Sequence, residues 1–179
     1  MSTACECLTF AAMQVTVRKG TKEDMPAVHA LICELALYEK APEEVTNTVE
    51  DMLADGFGDS PVFHCLVAEV DQLVVGMAIY FIKYSTWKGK GVYLDDIVVT
   101  DAYRGCGIGH QLFISLAKEC AMLGANQLHW QVLDWNEPAI RFYKRFSATL
   151  DSEWVNCKLD SNGIRRVAAL NELGKEEGV

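Results

Sequence analysis

The feature that most narrows the fold is a strand, a glycine loop and a helix in immediate succession. Gly91-Val-Tyr-Leu-Asp-Asp-Ile-Val-Val-Thr100 is β-branched and aromatic enough to read as a strand. It runs into Asp101-Ala-Tyr-Arg-Gly-Cys-Gly-Ile-Gly-His110, with glycines on alternate positions. Beyond the loop, Leu112, Phe113, Leu116, Ala117, Cys120 and Leu123 recur at helical spacing and Gly124 supplies a stop, which predicts a helix over 107–123. Glycine loses more backbone freedom on folding than any other residue. Three of them in one loop therefore imply a turn at positive φ, or a backbone that something approaches closely. Amide N–H groups at a helix N-terminus favour an anion, and without Cβ atoms a phosphate can reach them. Two phosphate patterns fail. The dinucleotide motif has His110 where its third glycine belongs, and no Gly-Lys-Ser/Thr closes a P-loop. What is present is R-x-x-G-x-G, from Arg104 to Gly109. A glycine turn with a purely structural role is the competing reading.

The 179 residues suffice for one domain with a real core. The organisation expected is a loose extension over 1–12 and a single domain over 13–179. No apolar run approaches a membrane span, and the first residues lack the basic start of a signal peptide. Cys5 and Cys7 have no second ligand pair at zinc spacing, and the four histidines show no metal pattern, so no metal is expected. Seven cysteines, with Cys33, Cys65 and Cys120 at apolar positions, suit reduced, buried thiols in the cytoplasm. A net charge of −9 speaks against nucleic acid and anionic membranes and suits a cationic ligand.

Alternation over Met13–Arg18 predicts a first strand, and Thr21 with Asp24 a capped helix lined by Val28, Leu31, Ile32 and Leu35. Pro42 breaks the chain, and Thr48 caps a shorter helix ending near Gly56. Strands over Val62–Val70 and Leu73–Tyr84 meet in a tight hairpin at Asp71-Gln72. After the glycine loop and its helix come a strand over 127–133, a helix capped by Asn136, a last strand over Trp154–Leu159 and a helix over Ile164–Leu173. Strand, helix and strand from 92 to 133 make a β-α-β unit, so its strands should be parallel within a mixed sheet.

The Arg104–Gly109 pattern resembles the coenzyme A pyrophosphate loop of the GNAT family of N-acetyltransferases. Asp55-Gly-Phe-Gly58, His64-Cys-Leu-Val-Ala-Glu69, Tyr103–Gly109 and Trp135-Asn-Glu-Pro-Ala-Ile-Arg-Phe-Tyr-Lys-Arg145 together resemble its diamine (spermidine/spermine) acetyltransferases, over residues 14–160. The resemblance implies an α/β (α+β) fold with a mixed, mostly antiparallel sheet, helices on both faces and a splayed parallel strand pair at the acetyl-CoA site. It implies acetyl-CoA as co-substrate, a small cationic amine as acceptor, and a homodimer. Ile97, Val98 and Val99 would offer backbone groups to the acetyl and pantetheine portion. Arg104, Gly105, Cys106, Gly107, Ile108, Gly109 and His110 would hold the pyrophosphate, and Asn136, Glu137, Pro138 and Ala139 would touch the coenzyme at the next helix. Tyr143 falls on the family's catalytic tyrosine. Tyr38, Glu39, Asp95, His129, Trp130, Gln131 and Glu153 fall where the family contacts its amine, and Asp96 adjoins them. Three departures bear on the amine, of which one is a loop at Asp71-Gln72 shorter than the family's. The family's Tyr-Leu-Glu-Asp reads Tyr93-Leu94-Asp95-Asp96 here, and Tyr84-Ser-Thr-Trp87 lacks an acid expected of the polyamine enzymes.

Acetyl transfer needs a neutral amine, a stabilised carbonyl oxygen and a protonated leaving thiolate. A primary amine of pKa near 10 is only about one part in a thousand neutral at pH 7. Asp95 is the candidate base, acting through a water because it is short. Regular alternation would put Asp95 and Asp96 on opposite faces, unless a bulge intervenes. Tyr143 is the candidate acid, since a phenol of pKa about 10 donates downhill to a thiolate of about 8.5. A backbone N–H near Ile97 or Val98 would hold the oxyanion. Trp87 offers an aromatic face to an ammonium, while Trp130, Trp135 and Trp154 read as core or cleft wall. A lysine-like amino acid such as thialysine is the alternative acceptor, needing a cation from among Lys88, Lys90 and Arg141 for its carboxylate. A coenzyme A-binding module without turnover is the alternative of a different class.

Overall fold

The computed structural model describes residues 14–170. The extension predicted over 1–12, with Cys5 and Cys7, lies outside the described residues, as do Met13 and the end of the last predicted helix, 171–173. The described chain separates into two compact units, the first ending at Gln131 and the second beginning at Val132.

The first unit is built on one five-stranded sheet in chain order, β1 (Val15–Lys19), β2 (His64–Val70), β3 (Leu73–Ser85), β4 (Gly89–Val99) and β5 (Leu128–His129). The first four strands are antiparallel neighbours, and β5 runs parallel to β4. The mixed sheet and the parallel pair are as the sequence implied. Asp71 and Gln72 both take positive φ, 48° and 68°, so the β2–β3 turn is of the primed kind whose twist matches paired strands.

Helices cover both faces, which is why β2 reads as an almost continuous apolar run. On one face Cys65, Val67, Met77, Ile79 and Val98 pack with Met25, Val28 and Leu31 of α1 (Met25–Tyr38) and Met52 of α2 (Val49–Phe57). On the other, α3 (Ile108–Met122) buries Ile108, Leu112, Phe113, Leu116 and Cys120 against β2, β3 and β4. The caps fall where the sequence put them. Thr21 N–H donates to Asp24 Oδ2 at 2.7 Å, and Thr48 and Asp51 form a reciprocal capping box. Arg18 joins β1 to both neighbours, 2.6 Å from Asp24 and 2.7 Å from Glu69, and holds the buried Asp24 carboxyl down at about 2.

In the second unit Asn136 Oδ1 accepts from Ala139 N–H at 3.3 Å to cap α4 (Glu137–Lys144), with Pro138 in the first turn. Asp160 caps α5 (Ser161–Ala168). Four expectations need correction. The strand predicted over 127–133 shrinks to two residues because its ladder with β4 ends after Val92↔Leu128 and Tyr93↔His129. The strand predicted over Trp154–Leu159 is absent: no ladder partner meets it, and Trp154 and Val155 stand in solvent. Cys33 lies on the exposed side of α1, its Sγ 3.8 Å from His29 Nδ1, rather than in the core. Trp135 and Trp154 are exposed, which removes the core half of the core-or-cleft-wall expectation for both.

Candidate active site

Asp95 is where β4 departs from regular pairing. Ile79 pairs with Asp96 and Tyr80 with Leu94, so Asp95 is an extra residue without a partner across the ladder. Such bulges re-aim side chains and occur beside active sites. Here it reverses the odd–even alternation of β4. Asp96 shares the α1 face with Ile79, and Tyr93 shares it with Phe81, their rings stacked at 5.1 Å. Opposite faces for Asp95 and Asp96, the outcome of regular alternation, does not apply.

Glu39, the residue that ends α1, joins them. Its carboxylate sits at the partially negative end of a helix, where a cation would be favoured. Burial raises the carboxyls of Glu39 and Asp95, although Asp95 still reaches solvent at the rim. Asp96 is pushed up to about 6, first by burial, then by the charges of Asp95 and Glu39. None of the three is in an ion pair among the described residues. Three carboxylates held together without a cation favour a cationic ligand strongly.

Further along the same face lies a group the sequence reading missed. Lys83 is half-buried, its Nζ 3.2 Å from His129 Nδ1 and 5.6 Å from the centre of the Tyr93 ring. The proton donor is the ammonium, so His129 accepts and is neutral. Burial and then Lys83 lower the His129 pKa accordingly. Neighbouring Trp130 turns the other way, edge-on to Phe113 of α3 at 5.4 Å, and Gln131 is exposed. Trp87 occupies the β3–β4 turn beyond the last ladder pair, Ser85↔Gly89, and is 83% exposed.

The far end of β4 leads to the glycine loop. Gly105 and Gly107 both adopt φ +78°, the left-handed region, and a Cβ on either would meet nothing within 4 Å. The backbone there is reached from open space, as a phosphate cradle requires. Gly107 is the N-cap of α3, whose first turn has no acidic residue and no side-chain cap. Arg104 anchors the loop: its Nε donates to Val99 O at 2.9 Å, and its guanidinium lies 3.4 Å from Asp101, 3.7 Å from Glu34 and 5.3 Å from the Tyr38 ring centre. Cys106 Sγ lies 3.6 Å from Arg104 O. Between bulge and loop, Ile97 and Val98 pair with Ala78 and Met77, while β5 has no rung this far along. Their outer backbone edge is therefore free of a strand partner, as expected of a splayed pair.

In the second unit Tyr143 is the buried residue of α4, edge-on to Phe142 at 5.1 Å. Glu137 in the first turn of that helix lies 3.7 Å from Arg141. Glu153 is exposed, its N–H donating to Asp151 Oδ1 at 2.9 Å. Among the described residues no cluster suits a metal ion, and no helix is long and apolar enough to cross a membrane.

Comparison with known proteins bears on the same residues. Thialysine N-epsilon-acetyltransferase of Mus musculus is 37% identical over 85% of this chain and 96% of its own length. Spermidine/spermine N(1)-acetyltransferase-like protein 1 of Homo sapiens is 39% identical over 76% of this chain and 21% of its own length. Among solved structures, aminoglycoside N-acetyltransferase AAC(6')-Iy in complex with CoA superposes with a TM-score of 0.68 at 16% identity, over 83% of this chain and 96% of that one. The model of the acetyltransferase (GNAT) family matches residues 26–147, a span that takes in Glu39, the bulged strand, the glycine loop and Tyr143. The chain belongs to the GNAT family and is an N-acetyltransferase.

Proposed function

We propose that this acetyltransferase moves an acetyl group from acetyl-CoA to a primary amine of a small cationic acceptor, a diamine or polyamine, with a lysine-like amino acid as the second candidate. The observation that carries the reading is the cation-free cluster of Glu39, Asp95 and Asp96 beside the β4 bulge. Acetyl-CoA supplies the acetyl group as a thioester. Gly105 and Gly107 leave room for its pyrophosphate, and the first turn of α4, Asn136–Ala139, is assigned a further contact. The carboxylates receive the acceptor's ammonium, and Asp95 takes its proton through a water, with Asp96 holding the neighbouring charge. A backbone N–H at Ile97 or Val98 stabilises the carbonyl oxygen as negative charge develops. Tyr143 gives its hydroxyl proton to the departing sulfur.

Free cysteines at every described position support a reducing, cytoplasmic setting. Exposed Leu150, Trp154, Val155, Leu159, Ile164 and Val167 in the second unit support a homodimer.

Thioester consumption measured across spermidine, spermine, short diamines, thialysine and lysine tests the acceptor class. Turnover with one or more is expected, and none with any would overturn the assignment. In the same assay Tyr143→Phe is expected to lower kcat by about 10²–10⁴-fold at a nearly unchanged KM for acetyl-CoA. A raised KM with kcat spared would make the hydroxyl a binding group.

A further inference from the structure

The acetyl-transfer reading explains the carboxylates but leaves Lys83 unused. Its ammonium is half-buried on the same face, against a neutral imidazole and an aromatic ring, and is in no ion pair among the described residues. Withdrawing an ammonium from water without an anion is unfavourable, so a ligand anion would be bound there with gain.

The spacing says which anion. Lys83 stands opposite Gly91, and its Nζ reaches back over Tyr93, which stands opposite Phe81. Phe81 is two positions from Ile79, the partner of Asp96. Two residues of strand are roughly 7 Å, comparable to the span from the side-chain nitrogen to the carboxylate of a lysine-like amino acid. Tyr93 bridges the two ends: Lys83 lies over its ring, and after burial the charges of Asp95 and Asp96 raise its phenol. A polyamine lying along this strip would bring a second ammonium up to Lys83, like charge against like.

We infer that Lys83 binds the carboxylate of the acceptor, with the Tyr93 and Phe81 rings beneath its methylenes, and so selects an amino acid with a distal primary amine over a bare diamine. This rests on the acceptor site proposed above and, between its two candidate acceptors, favours the second, the lysine-like amino acid, over the diamine. His129 is the positioning residue, since its neutral Nδ1 holds the ammonium in place.

Steady-state kinetics with two matched acceptors test it: thialysine, and the diamine that is thialysine without its carboxylate. A lost charge-assisted contact corresponds to about 10- to 100-fold in binding. Lys83→Met is expected to raise KM for thialysine by about that factor with kcat little changed, while KM for the diamine stays level or falls. Lys83→Arg should retain most of the thialysine affinity. On the unaltered protein, masking the thialysine carboxylate as its amide should raise KM similarly, which needs no folded variant. Equal shifts for both acceptors, or none, would overturn the role of Lys83. An unaltered protein that acetylates the diamine but not thialysine would also overturn it while leaving the acetyl-transfer reading intact. Failure with both, and with every other amine, would remove that reading itself.

Discussion

Asp96 stands behind the bulge with its carboxyl pushed up to about 6 by burial and by the charges of Asp95 and Glu39. A carboxyl whose folded pKa lies above its unfolded value binds its proton more tightly when folded. It therefore costs no stability below about pH 4, and the cost grows as pH rises through about 6. Asp24 has the opposite sign: held at about 2 by Arg18, it stabilises the fold above its unfolded pKa and loses that as pH falls towards 2. Asp96→Asn is accordingly expected to raise stability at pH 7.5 by about 1–2 kcal/mol, discounted for its partial exposure, and to change little at pH 4. Thermal melts at both values check the stability. The same substitution should lower kcat/KM, and in the unaltered protein kcat/KM should fall below about pH 6 as the cluster takes up protons. The apparent pKa values of that limb belong to the three carboxylates jointly. A variant that melts lower at pH 7.5 would show Asp96 to be a structural group instead.

At the level of elements, the loop before α3 and the turn after it form a natural pair of controls. Gly107 has φ +78° and Gly124 φ +64°, and a Cβ on either would meet nothing within 4 Å. Alanine in the left-handed region costs about 1–2 kcal/mol, so Gly107→Ala and Gly124→Ala should lower the melting temperature alike. Only Gly107→Ala should weaken acetyl-CoA binding by calorimetry. Equal affinities in the two variants would leave the loop a turn and nothing more. The helix caps, the primed hairpin and this loop were legible in the sequence because each depends on residues close together in the chain. The Asp95 bulge was not, because an unpaired residue is defined by the strand beside it and leaves no mark in composition. For the same reason Tyr93 went unnoticed, since its face follows from the bulge; Lys83 keeps the regular alternation of β3 with Ile79 and Phe81, but only pairing between strands brings it to Tyr93 and His129. The strand expected over Trp154–Leu159 failed for the converse reason, a sequence of strand character with no edge to join.

For the whole molecule, the single-domain and homodimer readings make one joint prediction. Calorimetric unfolding should show one transition whose midpoint rises with protein concentration, since association stabilises only the folded form. Two transitions, or a midpoint independent of concentration, would overturn one reading or the other. The family match runs through both compact units, from residue 26 to 147, so activity and cooperativity are expected to depend on both. Within the sheet itself the division of labour is finer. The ladder is complete on either side of Asp95: Leu94 already faces Tyr80, and Asp96 already faces Ile79. A chain one residue shorter at that point would pair without a gap and keep every remaining side chain on its own side. Architecture and chemistry are thus spelled by different letters of β4. An excision there is expected to leave a sound sheet without the base proposed for it, a defect that a screen for folded protein would pass unnoticed.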